Sequence, residues 1–336
     1  MASYQSPFYL QKEYGHLRDD NEKMFDLAIK EHPEDKHLLL LVQAGQYFTD
    51  IPKRQKCWEN CQIIIKESTD NELLSWAYRF AAWIYQEDNK DDASALNCFL
   101  KLIEIEPDEI EIMLWLGKTY RHLKKYDEAI EWAVKAQADE DYLDQALEIL
   151  GDIYLDKKEY DLALDYYNKC LELDPPSANL LSNIGIVYYN KSEFETARSK
   201  FHEGMKLNDK YEYFPYLIGI CWMAEDDFYR AMDYFTKALD LHPNMPEALN
   251  GIAKLYYDHE GDYKVAIGYL EKAIEESSEP LAENMMLIYQ NLGKLHSQML
   301  NKEKADYYFR KFFECQELEG LYDIAKDQLG YGDLNE

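Results

Sequence analysis

Apolar residues recur three and four positions apart along most of this chain, the pattern of helices that bury one face. Met24, Phe25, Ala28 and Ile29 mark a helix from about Asn21 to His32, capped by Asp19/Asp20 and ended by Pro33. His37 to Phe48 and Lys53 to Lys66 predict a helix pair with Ile51-Pro52 in its turn. Cys57, Trp58, Cys61, Ile64 and Ile65 lie on one stripe of its second member. Asn71 to Pro107 predicts another pair. From Ile110 onward the pattern acquires a fixed period. Leu116-Gly117-Lys-Thr-Tyr120 returns as Leu150-Gly151-Asp-Ile-Tyr154, as Ile184-Gly185-Ile-Val-Tyr188 and as Ile218-Gly219-Ile-Cys-Trp222, each 34 residues after the last. Ala129, Ala163, Ala197 and Ala231 follow at the same interval, each with an aromatic three residues before it: Tyr126, Tyr160, Phe194 and Phe228.

A period of this length with two helices inside it denotes stacked helix pairs, since one pair cannot bury both of its faces. The small Gly and Ala allow the two helices of a pair to approach closely. Aromatics fill the remaining space: Tyr120, Tyr154 and Tyr188 from first helices, Phe99, Tyr167, Phe201 and Phe235 from second helices. Pro107, Pro175 and Pro243 stop second helices, and Asp127 and Asp161 open them. Units begin at Ile110, Asp144, Ala178 and Glu212. The Asn71 pair departs from the pattern, with Trp83 in place of Gly and Gln86 in place of Tyr. The Pro246 unit carries Ala253 for Gly, and one extra residue in its turn, His259 to Tyr263, so that Ala266 falls 35 after Ala231. Gly293 falls 40 after Ala253, with the added length near Glu275 to Ala282, and the last unit runs from Met286 to Glu314.

The expected organisation is therefore all-α: divergent N-terminal helix pairs over 1–70, a regular solenoid over 71–314, a capping helix over 315–329 and a flexible tail over 330–336.

Composition narrows the function. Only 14 Gly and 10 Pro in 336 residues fit a mostly helical chain. With Lys+Arg 36 against Asp+Glu 65, the formal net charge is −29, which repels phosphate backbones and anionic membrane surfaces and favours a basic partner. No apolar run reaches the roughly 20 residues of a membrane span, and Met1 to Arg18 holds no basic region followed by an apolar stretch, so neither insertion nor a secretory signal is expected in the chain as given. The six cysteines are scattered through predicted helices without a Cys-x-x-Cys pair, as in a reducing, cytoplasmic setting where thiols act as small hydrophobes. There is no His-Glu-x-x-His, no Gly-x-Ser-x-Gly, no phosphate-cradling glycine loop and no dinucleotide fingerprint. Neither an enzyme nor a cofactor or metal site is expected.

Leu-Gly-x-x-Tyr, then Ala-x-x-x-aromatic, then Pro, at a 34-residue period, resembles the tetratricopeptide repeat family from Asn71 to about Phe309. That resemblance implies a right-handed superhelix of antiparallel helix pairs. Its members are mostly adaptors, co-chaperones and assembly scaffolds that hold peptides or partner helices along a concave surface lined by first helices. Helical geometry then gives the residues that face the concavity as the second, fifth, ninth and twelfth of each first helix. Leu114, Lys118 and Arg121 fall there in the Ile110 unit, Glu148 and Asp152 in the Asp144 unit. Ile186, Tyr189, Tyr213, Tyr216, Ile220 and Met223 form an apolar and aromatic patch, the usual chemistry of a binding anchor, against the competing reading that they pack under a neighbouring helix. Asn250, Lys254, Tyr257 and Lys294 continue the series. Lys118, Arg121, Lys254 and Lys294 are cations suited to a carboxylate or acidic peptide. A Lys/Asn clamp for chaperone C-termini is not expected, because Asn183 and Asn291 lack a preceding unit that supplies its Lys and Asn. The sequence thus points to an interaction scaffold with a protein or peptide partner. Self-association into a homo-oligomer through terminal repeats or groove aromatics is the alternative.

Overall fold

In the computed structural model, residues 54–87, 91–173, 175–275 and 283–315 are described. The expected helices over 21–32 and 37–48, the insertion near 276–282, the cap and the tail lie outside these residues. Fifteen α-helices, one 3-10 turn and one π turn make up the regular structure of the described residues, and no strand occurs among them. The chain divides into two compact units, Met1–Asp174 and Pro175–Glu336.

The first unit contains α1 (Arg54–Glu67), α2 (Asn71–Glu87), α3 (Asp92–Ile105), α4 (Ile110–His122), α5 (Tyr126–Ala136), α6 (Leu143–Asp156) and α7 (Tyr160–Leu173). The second contains α8 (Ala178–Asn190), α9 (Phe194–Leu207), α10 (Tyr213–Ala224), α11 (Phe228–Leu241), α12 (Pro246–Leu255), α13 (Tyr263–Glu275), α14 (Glu283–Gln298) and α15 (Lys302–Cys315). Within each unit every first helix packs on its own second helix, and every second helix packs on the first helix of the next pair. First helices also meet first helices across the repeat, α4 with α6, α10 with α12 and α12 with α14. This lateral contact sets those first helices side by side within their own unit.

The repeat signature is explained by what its glycines face. A Cβ on Gly219 would lie 2.7 Å from the Phe235 ring, and one on Gly251, in the next first helix, 2.8 Å from the same ring. Phe235 is fully buried between the two. Tyr167 covers Gly151, Phe201 covers Gly185 and Phe309 covers Gly293 in the same way. The glycine therefore makes room for the aromatic of the second helix, and direct approach of the two backbones is its role only at Gly117. There the second helix carries Ala133 in place of an aromatic, and a Cβ would find Ile149 Cγ2 at 3.5 Å and the Ala129 carbonyl at 3.6 Å, ordinary contact distances. One substitution at equivalent positions should thus have opposite signs. Gly117→Ala is expected to stabilise the first unit by up to about 1 kcal/mol through helix propensity. Gly219→Ala should destabilise the second by about 1–3 kcal/mol, because the enclosed Phe235 ring has nowhere to move. Urea midpoints of the two variants against the parent measure both.

The turns inside the pairs are equally regular. Lys124, Lys158, Ser192 and Asp226 have φ between 57° and 62°. The next residue of each donates its N–H back to the signature aromatic, as Lys125 to the Tyr120 carbonyl (2.9 Å) and Asp227 to that of Trp222 (2.9 Å). The left-handed residue is polar or charged in these four turns, so no glycine marks it in the sequence. In the α12–α13 pair Gly261 takes the place, at φ 64°. The extra residue expected in that turn is absorbed instead at the end of the first helix, as the π turn Tyr256–Glu260. The Asp262 N–H still closes on the Tyr256 carbonyl, at 3.2 Å, across one more residue than elsewhere. A wider helical turn accepts the insertion while the turn-closing hydrogen bond is kept.

The thiols behave as small hydrophobes. Cys57, Cys61, Cys98, Cys170 and Cys221 are buried and unbridged. The hydrogen bond to Cys57, together with burial, pushes the Cys61 thiol well above its ordinary range, so the thiolate is disfavoured.

Candidate functional site

On the first unit, α4 and α6 place Arg121, Asp152 and Asp156 together. The Arg121 guanidinium donates from Nη1 to Asp152 (2.7 Å) and from Nε to Asp156 (2.6 Å). The buried Tyr167 hydroxyl donates to the other Asp152 oxygen at 2.6 Å. Burial pushes the Asp152 carboxyl up, against the pull of Arg121 and Tyr167 in the other direction. Burial also raises its neighbour Glu148, with Asp152 adding to the effect. Arg121 is therefore engaged within the protein. Its two carboxylate partners lie on the next first helix, so the cluster ties adjacent repeats together. Leu114, expected on the open face, is buried against Ala146 and Ile149, because α6 closes over that end of α4.

Lys118 is exposed and lines a cavity of about 360 Å³ with Gln86, Glu87, Asp92, Trp115 and His122. Gln86, which replaces the signature aromatic, donates to the Thr119 hydroxyl at 3.0 Å, so a polar contact fills the place of a ring there. His122 Nδ1 faces Asp92 at 3.5 Å.

The second unit holds the aromatic patch. Ile186, Tyr189, Tyr216 and Ile220 pack half-buried on the α9–α10 core. Tyr216, Ile220 and Met223 also meet the core around Phe235, and Tyr213 and Tyr216 meet Ala238, Met245 and Ala248. The Tyr213 and Tyr216 rings meet edge to face at 6.2 Å, and Tyr211 lies 5.4 Å from Tyr213. The Tyr213 hydroxyl reaches Glu247 at 3.4 Å. Burial first, then Glu247, pushes both Tyr213 and Tyr216 up to about 12. Burial raises Tyr189 and Tyr257 as well. All four hydroxyls are therefore neutral donors at physiological pH. The charge of Lys254 reaches Tyr189, while its ammonium group is 3.0 Å from Asp258 and 5.9 Å from the Tyr257 ring. Asn250 accepts from the amide of the buried Asn291 at 2.8 Å. Lys294 is exposed on α14. The six patch residues are neither free nor sealed: each rests on the core and keeps part of its side chain open.

Two features on these helices carry no signal in the repeat pattern. Trp222 stands in the tyrosine position with the Arg198 and Arg230 guanidinium groups over its ring, at 3.6 and 4.4 Å. His296 occupies the same position in the last pair. It is buried, stacks on Tyr308 at 5.5 Å, and neither ring nitrogen has a hydrogen-bond partner among the described residues. Burial, aided by Lys304 and opposed by Glu271, holds it below the usual histidine range. Below pH about 6.5 the unfolded chain takes up a proton at this residue that the folded one refuses, so stability falls as pH falls through that window. His296→Phe is expected to stabilise the second unit by about 1 kcal/mol at pH 7 and to flatten part of this acid slope. The burial-lowered His202 leaves the remainder. Thermal unfolding between pH 7.5 and 5, values bracketing that reference pKa of about 6.5, checks both.

Among the described residues no group of three His, Cys, Asp or Glu is placed to hold a metal ion, and no helix is long and apolar enough to cross a membrane.

Comparison with known proteins gives two matching families. The tetratricopeptide repeat protein 21 C-terminal ARM domain matches residues 62–254, more than half of the chain, and a tetratricopeptide repeat matches residues 246–280. No curated protein matches. Among solved structures, a tetratricopeptide repeat protein from Parabacteroides merdae is similar at 21% identity over 74% of this chain and 98% of that one, with a TM-score of 0.56. Yeast Tom70 is similar at 17% identity over 89% of this chain and 66% of that one, with a TM-score of 0.63. At these identities the likeness is one of fold, the all-α solenoid of helix pairs.

Proposed function

The chain belongs to the tetratricopeptide repeat family, and on that premise we propose that it is a non-catalytic scaffold that seats a partner protein or peptide on the first-helix face of its second unit. The observation that carries this reading is the tyrosine face itself. Gly, Ala and the covering aromatics are required by the fold and recur. Tyr213, Tyr216 and Met223 do not recur: the equivalents of Tyr213 and Tyr216 are Asn179 and Ser182 one repeat earlier, and Glu247 and Asn250 one repeat later. Large, half-buried aromatic surfaces with neutral hydroxyls lose little side-chain entropy when covered, which is why they serve as anchors.

The test is affinity capture from the native source with the parent and with Tyr213→Ala/Tyr216→Ala, with thermal unfolding followed alongside. Loss of the captured partner from a variant that still folds supports the face, and unchanged capture of every partner contradicts it. Light scattering settles the other occupant. A mass above the 39.8 kDa of one chain that the double substitution abolishes would place a second copy on this face.

A further inference from the structure

From the charges that border the tyrosine face, we infer that its occupant is a basic–apolar peptide segment: a lysine or arginine seated at Glu247 and Tyr213, with a neighbouring apolar side chain on Tyr216 and Ile220. This rests on the reading of that face as the docking surface, and it names the partner's chemistry. The face has one cation among its candidate residues at the centre, Lys254, and that charge is already matched by Asp258 at 3.0 Å. At the N-terminal ends of α10 and α12 the balance runs the other way. Glu247 meets only the Tyr213 hydroxyl, at 3.4 Å, and has no cation partner among the described residues. Glu212 faces His242 at 3.7 Å, a partner that is charged only when protonated. The rings of Tyr211 and Tyr213, 5.4 Å apart, stand beside these carboxylates. A guanidinium or ammonium group arriving there would gain a carboxylate and an aromatic face at once, while an arriving carboxylate would meet like charge. The apolar part follows from the adjoining floor, where Tyr216, Ile220 and Met223 sit half-buried over the Phe235 core. A net charge of −29 steers a basic segment toward the protein but does not select this face, so the experiment must separate the two effects.

Fluorescence anisotropy with the full chain, at an ionic strength of about 0.15 M, uses three short peptides. One carries a Leu-Phe pair flanked by lysines, the second the same pair flanked by glutamates, and the third the lysines with the pair replaced by serines. The first is expected to bind at least about tenfold more tightly than either of the others. Glu247→Lys should weaken it by about tenfold and Glu247→Gln by less, with folding confirmed by circular dichroism. Glu195→Lys, an exposed change on α9, should leave it within about twofold. Equal binding of the lysine and glutamate peptides, equal binding of the serine peptide, or indifference to Glu247→Lys overturns the inference. If the peptides show no preference while Tyr213→Ala/Tyr216→Ala still loses the native partner, the face survives and its basic chemistry falls. If the lysine peptide binds the double variant as well as the parent, both fall.

Discussion

Phe235→Ala is expected to destabilise the second unit by about 3–5 kcal/mol. The ring is fully buried, and it fills the space between Gly219 of its own pair and Gly251 of the next. Two first helices therefore depend on it, and neither has a side chain at the contact that can close the gap. The same ring lies 6.0 Å from Tyr216, so its loss also undermines the tyrosine face from below. Hydrogen exchange resolves where the loss falls. Amides of α10, α11 and α12 should lose protection, while those of α4 to α7 keep it, because each unit has its own core. Uniform loss across both units would mean that the chain unfolds as one cooperative body.

Arg121→Met should destabilise the first unit by about 2–3 kcal/mol, somewhat below the cost of breaking a fully enclosed ion pair. The substitution keeps most of the apolar stem and removes the partner of two carboxylates. Asp152 keeps its Tyr167 bond and the weaker pull of Lys118 but loses the charge that most opposes its desolvation, in a side chain just 19% exposed. Its carboxyl would then rise further above the ordinary range. A folded-state value above the unfolded one favours folding as pH falls, so the deficit should shrink on acidification, in contrast to the effect of His296. The second-site change Asp152→Asn should recover most of the loss, and a double-mutant cycle measures the coupling. A deficit that does not change with pH would mean that the guanidinium acts there only by packing.

How much of this was readable in the chain differs from one feature to the next. The helix pairs from Asn71 onward are legible because a 34-residue period fixes both the helix faces and their neighbours. The glycine positions are legible too, though not what each accommodates: Gly117 differs from Gly219 because Ala133 stands opposite where Phe235 stands in the later repeat. The π turn is invisible because an inserted residue shifts the spacing without saying which side of the turn absorbs it. The left-handed turn residues Lys124, Lys158, Ser192, Asp226 and Leu300 are invisible because none of them is glycine. Cross-repeat polar contacts are the least legible. Ser75–Glu106, Glu111–Tyr142 and Arg121–Asp152 are each 31 residues apart, one period less nearly one helical turn, a separation that has meaning only once the helices are laid side by side. For that reason Arg121 reads as a free cation in the sequence and is an inter-repeat tie in the structure. The tyrosine face was legible as a departure from the repeat, and its half-buried state answers to both readings the sequence allows, since each ring packs on the core and still presents an edge.

On this reading the recurring residues build the protein, and the non-recurring first-helix residues of the second unit bind a partner for it. Hydrogen exchange on the complex with the captured native partner tests this most directly. New protection is expected over Tyr213–Ala224 and Pro246–Leu255, centred on Tyr213, Tyr216 and Glu247, with the first unit unchanged. Protection confined to the second helices, or to the helices of the first unit, would contradict it.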